Sequence, residues 1–200
     1  MLEAIKSKLG TVALTAAAFG LSLQTHAVVI DFDALEVADD QLHYIASGTY
    51  TEDGYTISGS PMHYAGQYHN LYAGSAGLHL RSGGAVSTTI SNDGSLFSVD
   101  SIDLSVLSSD GGSPAVVFTA SLFDGSTVTQ SFTPLSFGFQ TFYFSSDFDQ
   151  VTSLSWSQGT SETNAHQFDN LVVNEVPEPA SLALLGLGLS GIGFARRKKA

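Results

Sequence analysis

The chain has no cysteine. Exported domains with small cores are usually stapled by disulfides, so this one must be held by burial, hydrogen bonding or a bound ion. Positive charge is almost as scarce. Across residues 28–176, seventeen Asp and Glu residues face one base, Arg81, leaving sixteen net negative charges before any histidine contribution. That balance excludes nucleic acid as a partner, because phosphate contacts need lysine and arginine. Anionic polysaccharide is disfavoured too, unless divalent cations bridge the two surfaces. The acidity fits plain solubility of a secreted β protein, and it also fits a calcium role; composition does not choose between them.

Catalytic signatures are missing as well. Residues 28–176 contain no Gly-x-Ser-x-Gly elbow, no His-Glu-x-x-His and no phosphate loop. The spaced glycines Gly186, Gly188 and Gly191 imitate a dinucleotide-binding fingerprint, but an acidic residue about twenty positions on is required and the chain ends in bases. The expectation is therefore a protein that is not an enzyme. The alternative is a secreted polysaccharide hydrolase, whose carboxylate pair is defined by spacing in space. With seventeen acids, sequence nominates no pair.

The ends of the chain are the most legible parts. Residues 1–27 carry Lys6 and Lys8, then an alanine-rich apolar stretch, then the small-residue ending Thr25-His26-Ala27. This is the pattern of a secretory signal peptide, helical in its apolar core, with cleavage expected after Ala27. At the other end, Pro177-Glu178-Pro179 precedes an uncharged run over 180–195, and Arg196, Arg197, Lys198 and Lys199 follow. The run's sixteen residues, two of them serines, fall short of the ~20 that span a bilayer comfortably. The four bases orient the segment with its tail in the cytoplasm, and the two prolines keep the motif extended and accessible. A permanent anchor that nothing cuts is the plain alternative.

This order of motif, apolar helix and basic cluster resembles the PEP-CTERM sorting signal of Gram-negative bacteria. The resemblance implies handling by exosortase, a membrane-embedded transpeptidase, with Pro177, Glu178 and Pro179 as processing determinants. It also implies an inner-membrane-anchored intermediate, followed by a place at the cell surface or in extracellular polymer such as the exopolysaccharide of a biofilm. The expected division is thus a signal peptide over 1–27, one domain over 28–176 and a sorting signal over 177–200.

The middle of the chain reads as strands. Short β-branched and aromatic segments punctuated by Gly, Asp, Asn, Ser and Pro predict strands over 28–32, 55–58, 78–81, 86–90, 97–107, 116–123, 127–132, 141–144, 152–156 and 168–173. Val116, Phe118, Ala120 and Leu122 alternate with polar neighbours, and Asp124-Gly125 marks a tight hairpin into the next strand. The apolar face of 97–107 changes parity near Asp100-Ser101, which predicts a bulge. Ten short strands and no fixed-period repeat point to an all-β antiparallel sandwich with jelly-roll-like connections.

Two clusters stand out. Pairing of the first and last strands would bring Asp31, Asp33, Asp169 and Asn170 together, hard oxygen groups that calcium prefers; the same residues also serve as strand-end caps. The ending Phe168-Asp169-Asn170-Leu171-Val172-Val173 ahead of the proline motif resembles that of other PEP-CTERM proteins and of galactose-binding-like or carbohydrate-binding sandwiches. A structural calcium near the chain ends is what that resemblance implies. The second cluster, over 62–72, is expected to be a loop in which Tyr64, Tyr68 and Tyr72 offer rings to a sugar while Gln67 and Asn70 bind hydroxyls. The alternative there is an ordinary loop with its rings folded onto the sandwich. Trp156 is expected in the core.

Overall fold

A computed structural model describes residues 27–59, 61–80, 87–110, 112, 115–157 and 165–176. The signal peptide, the sorting segment from Pro177 onward and Arg81 lie outside the described residues. The described chain is all-β and antiparallel, with thirteen strands: β1 (Ala27–Ile30), β2 (Leu42–Ile45), β3 (Thr49–Glu52), β4 (Tyr55–Ser58), β5 (Met62–Ala65), β6 (His79–Leu80), β7 (Ser87–Ser91), β8 (Phe97–Val106), β9 (Val116–Leu122), β10 (Thr127–Phe132), β11 (Gln140–Tyr143), β12 (Val151–Ser157) and β13 (His166–Glu175).

These strands form two faces of a sandwich. One layer runs β3-β4-β7-β12-β9-β10, and the other runs β11-β8-β13-β1; they meet where Val151 pairs with Phe97. The small sheet β2-β5-β6 extends the second layer through a bridge between Leu78 and Phe168.

Register explains the core. In the first layer, Tyr50, Ile57, Ile90, Leu154, Ala120 and Val128 stand opposite one another in one row across all six strands. Side chains alternate between faces along each strand, so the neighbouring rows point outward. Those rows are Thr51-Thr56-Ser91-Ser153-Ser121-Thr127 and Thr49-Ser58-Thr89-Ser155-Thr119-Thr129. Every position in them is a hydroxyl residue, the pattern of a sheet with one wet face. Between the layers, Trp156 packs edge-on to Phe168 at 4.9 Å and against Phe118 at 5.1 Å, and Tyr55 packs edge-on to Phe97 at 5.4 Å.

Strands expected from sequence fall within a residue or two of those observed, apart from β2, β3 and the start of the 62–72 cluster. Met62–Ala65 is a strand, β5, paired with β2, so only the residues after it form a loop. The correction has a physical cause. Met62 is buried while His63 and Tyr64 are half-buried, so neither neat alternation nor a continuous apolar run marks the segment. The expected bulge at Asp100 is present: Val172 and Val173 are consecutive on β13, but their partners Ser101 and Val99 straddle Asp100. A compensating bulge on β13 lies between Asp169 and Val172.

Candidate functional site

The second bulge builds the first candidate site. Along one edge of β13, β1 covers residues 171–174, and Leu78 takes over at Phe168 through two bonds of 2.9 Å. Asp169 and Asn170 fall in the gap between them. Asn170 turns left-handed there, with φ 43°, a conformation that Asn accepts better than most residues because its short amide can bond locally.

Asp169 is completely buried. Ser75 Oγ donates to its Oδ2, and the Asn170 N–H donates to its Oδ1 at 2.8 Å. Burial pushes its carboxyl up to about 7, and the carboxylates of Asp103 and Asp31 push the same way. Asp103 stands directly opposite Asp169 in the ladder and accepts a bond from Asn170 Nδ2 at 3.0 Å. Asp31 continues the group outward, accepting the Asp33 N–H at 3.0 Å. Asp33 itself is exposed on a 3-10 turn, Asp33–Leu35. Glu52 completes the neighbourhood by accepting the Phe32 N–H at 3.3 Å, and burial, then Asp31, raises its carboxyl.

The structure thus brings Asp31, Asp169 and Asn170 to one junction and adds Asp103, Ser75 and Glu52, which sequence could not place. Among the described residues, no group of three or more His, Asp or Glu side chains is arranged to hold a metal ion. Both Asp169 oxygens are occupied by hydrogen bonds, so an ion there would have to displace Ser75 or the Asn170 amide.

The second candidate site follows β5. Residues 66–68 zip onto 37–41: Gly66 N–H reaches Gln41 O at 2.9 Å, Gln67 N–H reaches Val37 O at 2.9 Å, and Tyr68 N–H reaches Asp39 O at 2.8 Å. Gly66 is required there, because a Cβ would lie 2.0 Å from Asp39 Oδ1 and 2.7 Å from its carbonyl oxygen. Asp39 in turn contacts His43 Nε2 at 3.0 Å, a bond that lowers its carboxyl below the usual range.

The three tyrosines do different things. Tyr64 stacks on His43 with ring centroids 5.0 Å apart and packs against the core. Tyr72 donates its hydroxyl to Glu36 Oε1 at 2.9 Å, and burial, then Glu36, holds its phenol up at about 12. Gln67 Nε2 donates to the other oxygen of Glu36, also at 2.9 Å. Tyr68 projects into solvent at 72% exposure, and Asn70 is exposed in the turn beside it. The expected platform of three rings is therefore one exposed ring on a braced loop. A second exposed ring, Tyr44, begins a row across β2, β5 and β6, lying 6.3 Å from His63, which lies 5.7 Å from His79.

The last strand carries the most specific finding. Residues 175–199 match the PEP-CTERM protein-sorting motif. This motif indicates an exported chain that passes through a membrane-anchored stage and is processed by exosortase. Its first two residues are still in the domain: Glu175 pairs with Phe97, and the Val176 N–H reaches Leu96 O at 3.2 Å. Among the described residues, no helix is long and apolar enough to cross a membrane.

No curated protein matches the chain. Among solved structures it is similar to a family 29 carbohydrate binding module from Piromyces equi, at 12% identity and a TM-score of 0.46, over 77% of this chain and 93% of that one. It is also similar to an alanine variant of a family 29 carbohydrate binding module, at 14% identity and a TM-score of 0.45, over 76% and 93% of the two chains. Likeness of this degree says nothing about which residues here would touch a ligand.

Proposed function

We propose that this protein is released by exosortase to the cell surface or into extracellular polymer, where its acidic sandwich is a noncatalytic carbohydrate-binding or matrix module. The observation that carries the sorting half is the junction itself: a sorting motif begins where the last strand of a completed domain ends. For the sugar half, support comes from Tyr68, an exposed ring on a loop braced by Glu36 and flanked by the amides of Gln67 and Asn70. Rings bind the apolar face of a pyranose and amides bind its hydroxyls.

The proposal includes calcium at the β1–β13 junction. Its support is a fully buried carboxyl, Asp169, in the field of Asp103 and Asp31, where a divalent cation would relieve repulsion. A ligand of the native state raises the melting temperature by mass action, so Tm should rise with calcium and fall with chelator. An unchanged Tm removes calcium from the proposal.

The hydrolase alternative gains little from the same residues. Asp169 has the raised carboxyl that a general acid needs, but it is sealed from solvent and both its oxygens are engaged.

The test is a glycan array probed with the exported, processed protein, with and without calcium. Binding that Tyr68→Ala abolishes supports the sugar half, and binding that survives it overturns that site. Recovery of the whole chain uncut from the cytosol overturns export.

A further inference from the structure

Ala27 stands opposite Asn174 in the register of β1 and β13. The segment before Ala27 and the segment after Val176 therefore leave the sandwich from the same end, on neighbouring strands. The antiparallel registers place four connections at that end: Asp53-Gly54 between β3 and β4, 92–96 between β7 and β8, 123–126 between β9 and β10, and 144–150 between β11 and β12. They carry Asp53, Asp93, Asp124, Asp147 and Asp149, and Glu175 stands among them; all six are exposed. At the opposite end, the one acid among the described residues is Asp110.

Distance gives the charge a consequence. Only Pro177, Glu178 and Pro179 separate Val176 from the apolar run, and a fully extended chain covers about 14 Å from Val176 to Ala180. Headgroups occupy about 5–7 Å on each side of the hydrocarbon core. The end of the sandwich is thus tethered within about a Debye length, ~8 Å at physiological salt, of the headgroup surface. Carboxylates at that range are repelled wherever the outward-facing leaflet carries anionic lipid, by the same charge–charge interaction that attracts bases to an anionic leaflet. Phe123, and Tyr143 where β11 enters the 144–150 connection, are exposed rings toward this end, but two rings stand against six like charges.

We propose that this end of the sandwich faces the bilayer in the anchored stage, and that its carboxylate rim repels anionic headgroups and holds the body off the membrane. The stand-off keeps the residues after Val176 open to the processing enzyme, and after the cut it drives the body away. The inference rests on the proposed handling by exosortase and on the membrane-anchored stage that the sorting motif indicates, and adds to them an orientation and a surface.

The absence of cysteine makes the test clean. Single labels at Ser95→Cys, in the β7–β8 connection, and Leu135→Cys, at the opposite end, report energy transfer to a headgroup-labelled lipid in vesicles carrying the full chain. Ten-residue strands such as β8 separate the two ends by roughly 33 Å, so transfer from position 95 should be several-fold stronger. Equal or reversed transfer overturns the orientation.

On phosphatidylcholine vesicles containing phosphatidylglycerol, the combined variant Asp53→Asn, Asp93→Asn, Asp124→Asn and Asp149→Asn should increase transfer from position 95, and on phosphatidylcholine alone it should not. Asn suits the left-handed positions of Asp53 and Asp93, at φ 46° and 44°. Added salt should produce the same increase in the unsubstituted chain. No change in either arm overturns the stand-off. A full chain that fails to float with vesicles overturns the anchored stage itself, a different outcome from wrong orientation.

Discussion

Asn170 bridges two bulged strands: its backbone turns left-handed on β13 while its Nδ2 reaches Asp103 on β8 at 3.0 Å. The residue thus supplies both a rare backbone conformation and a cross-strand bond to a carboxylate. Replacement can separate the two. Asn170→Gly keeps the backbone conformation and loses the bond, at about 1.5–3 kcal/mol for a hydrogen bond to a charged group. Asn170→Ala loses the bond as well and, unlike glycine, keeps a Cβ in the left-handed region without the local amide bonding that offsets it in Asn, adding about 1–2 kcal/mol. Urea unfolding should rank native above glycine above alanine, and an alanine variant at least as stable as the glycine variant contradicts this account.

Two buried groups on β13 titrate with opposite consequences for stability. Burial pushes Asp169 up to about 7, so its contribution is complete below its unfolded value of 3.8 and is lost as pH rises toward 7. Burial pulls His166 down to about 3, so its contribution is complete above 6.5 and is lost as pH falls toward 3. Between about 4 and 6.5 the two slopes oppose. Relative to the native chain, Asp169→Asn should lose Tm on acidification through this window, and His166→Gln should lose Tm as pH rises through it. Trp156, the sole tryptophan and 2% exposed, reports the melts by its emission. Parallel slopes in both variants would show that some other group controls the pH response.

Gly66 sets the position of the exposed tyrosine. With 2.7 Å between an added Cβ and the Asp39 carbonyl oxygen, Gly66→Ala must push 37–41 away from 66–68. The expected cost is about 1–3 kcal/mol, the usual range for overpacking, with faster amide exchange at Gln67 and Tyr68. Unchanged exchange there would mean that the clash is absorbed elsewhere.

How much of this was legible in the sequence depended on the range of the interaction. The β9–β10 hairpin was readable because a strictly alternating strand, Asp124-Gly125 and a second strand are contiguous; its register, Thr127 opposite Ser121, was not, because Phe123 joins the pair in a three-residue loop that ends on Gly125 at φ 83°. The bulge at Asp100 was readable because it changes parity within one strand. Its partner at Asn170 was not, since Phe168 through Val173 looks like an ordinary strand until Asp103 is placed across from it. The strands β2 and β3 were missed because Leu42-His43-Tyr44-Ile45 does not alternate apolar with polar, and Thr49–Glu52 offers one apolar side chain, Tyr50. Pairing of the first and last strands brought Asp31 and Asp169 together as expected. It did not reveal that Ser75, ninety-four residues away in sequence, donates to the buried carboxylate, nor that Glu36 braces Gln67 and Tyr72 from thirty-one and thirty-six residues away.

The tyrosine cluster allows ligand contact to be separated from scaffold. Tyr68 is exposed and makes no side-chain bond in the described structure, so Tyr68→Ala should leave stability within about 0.5 kcal/mol while removing any glycan binding at this loop. Tyr72→Phe keeps the ring and removes only the bond to Glu36, so it should cost about 1–3 kcal/mol and weaken binding only through loosening of the loop. Tyr64→Ala removes a ring that stacks on His43 and packs on the core, and it should cost about 3–5 kcal/mol, the range for truncating a buried aromatic, reduced by its partial exposure. The useful comparison is the ratio of lost affinity to lost stability across the three variants. That ratio is greatest for Tyr68 if the exposed ring touches the sugar, whereas a site on the Tyr44 row would leave it near zero for Tyr68 and shift the loss to Tyr44→Ala.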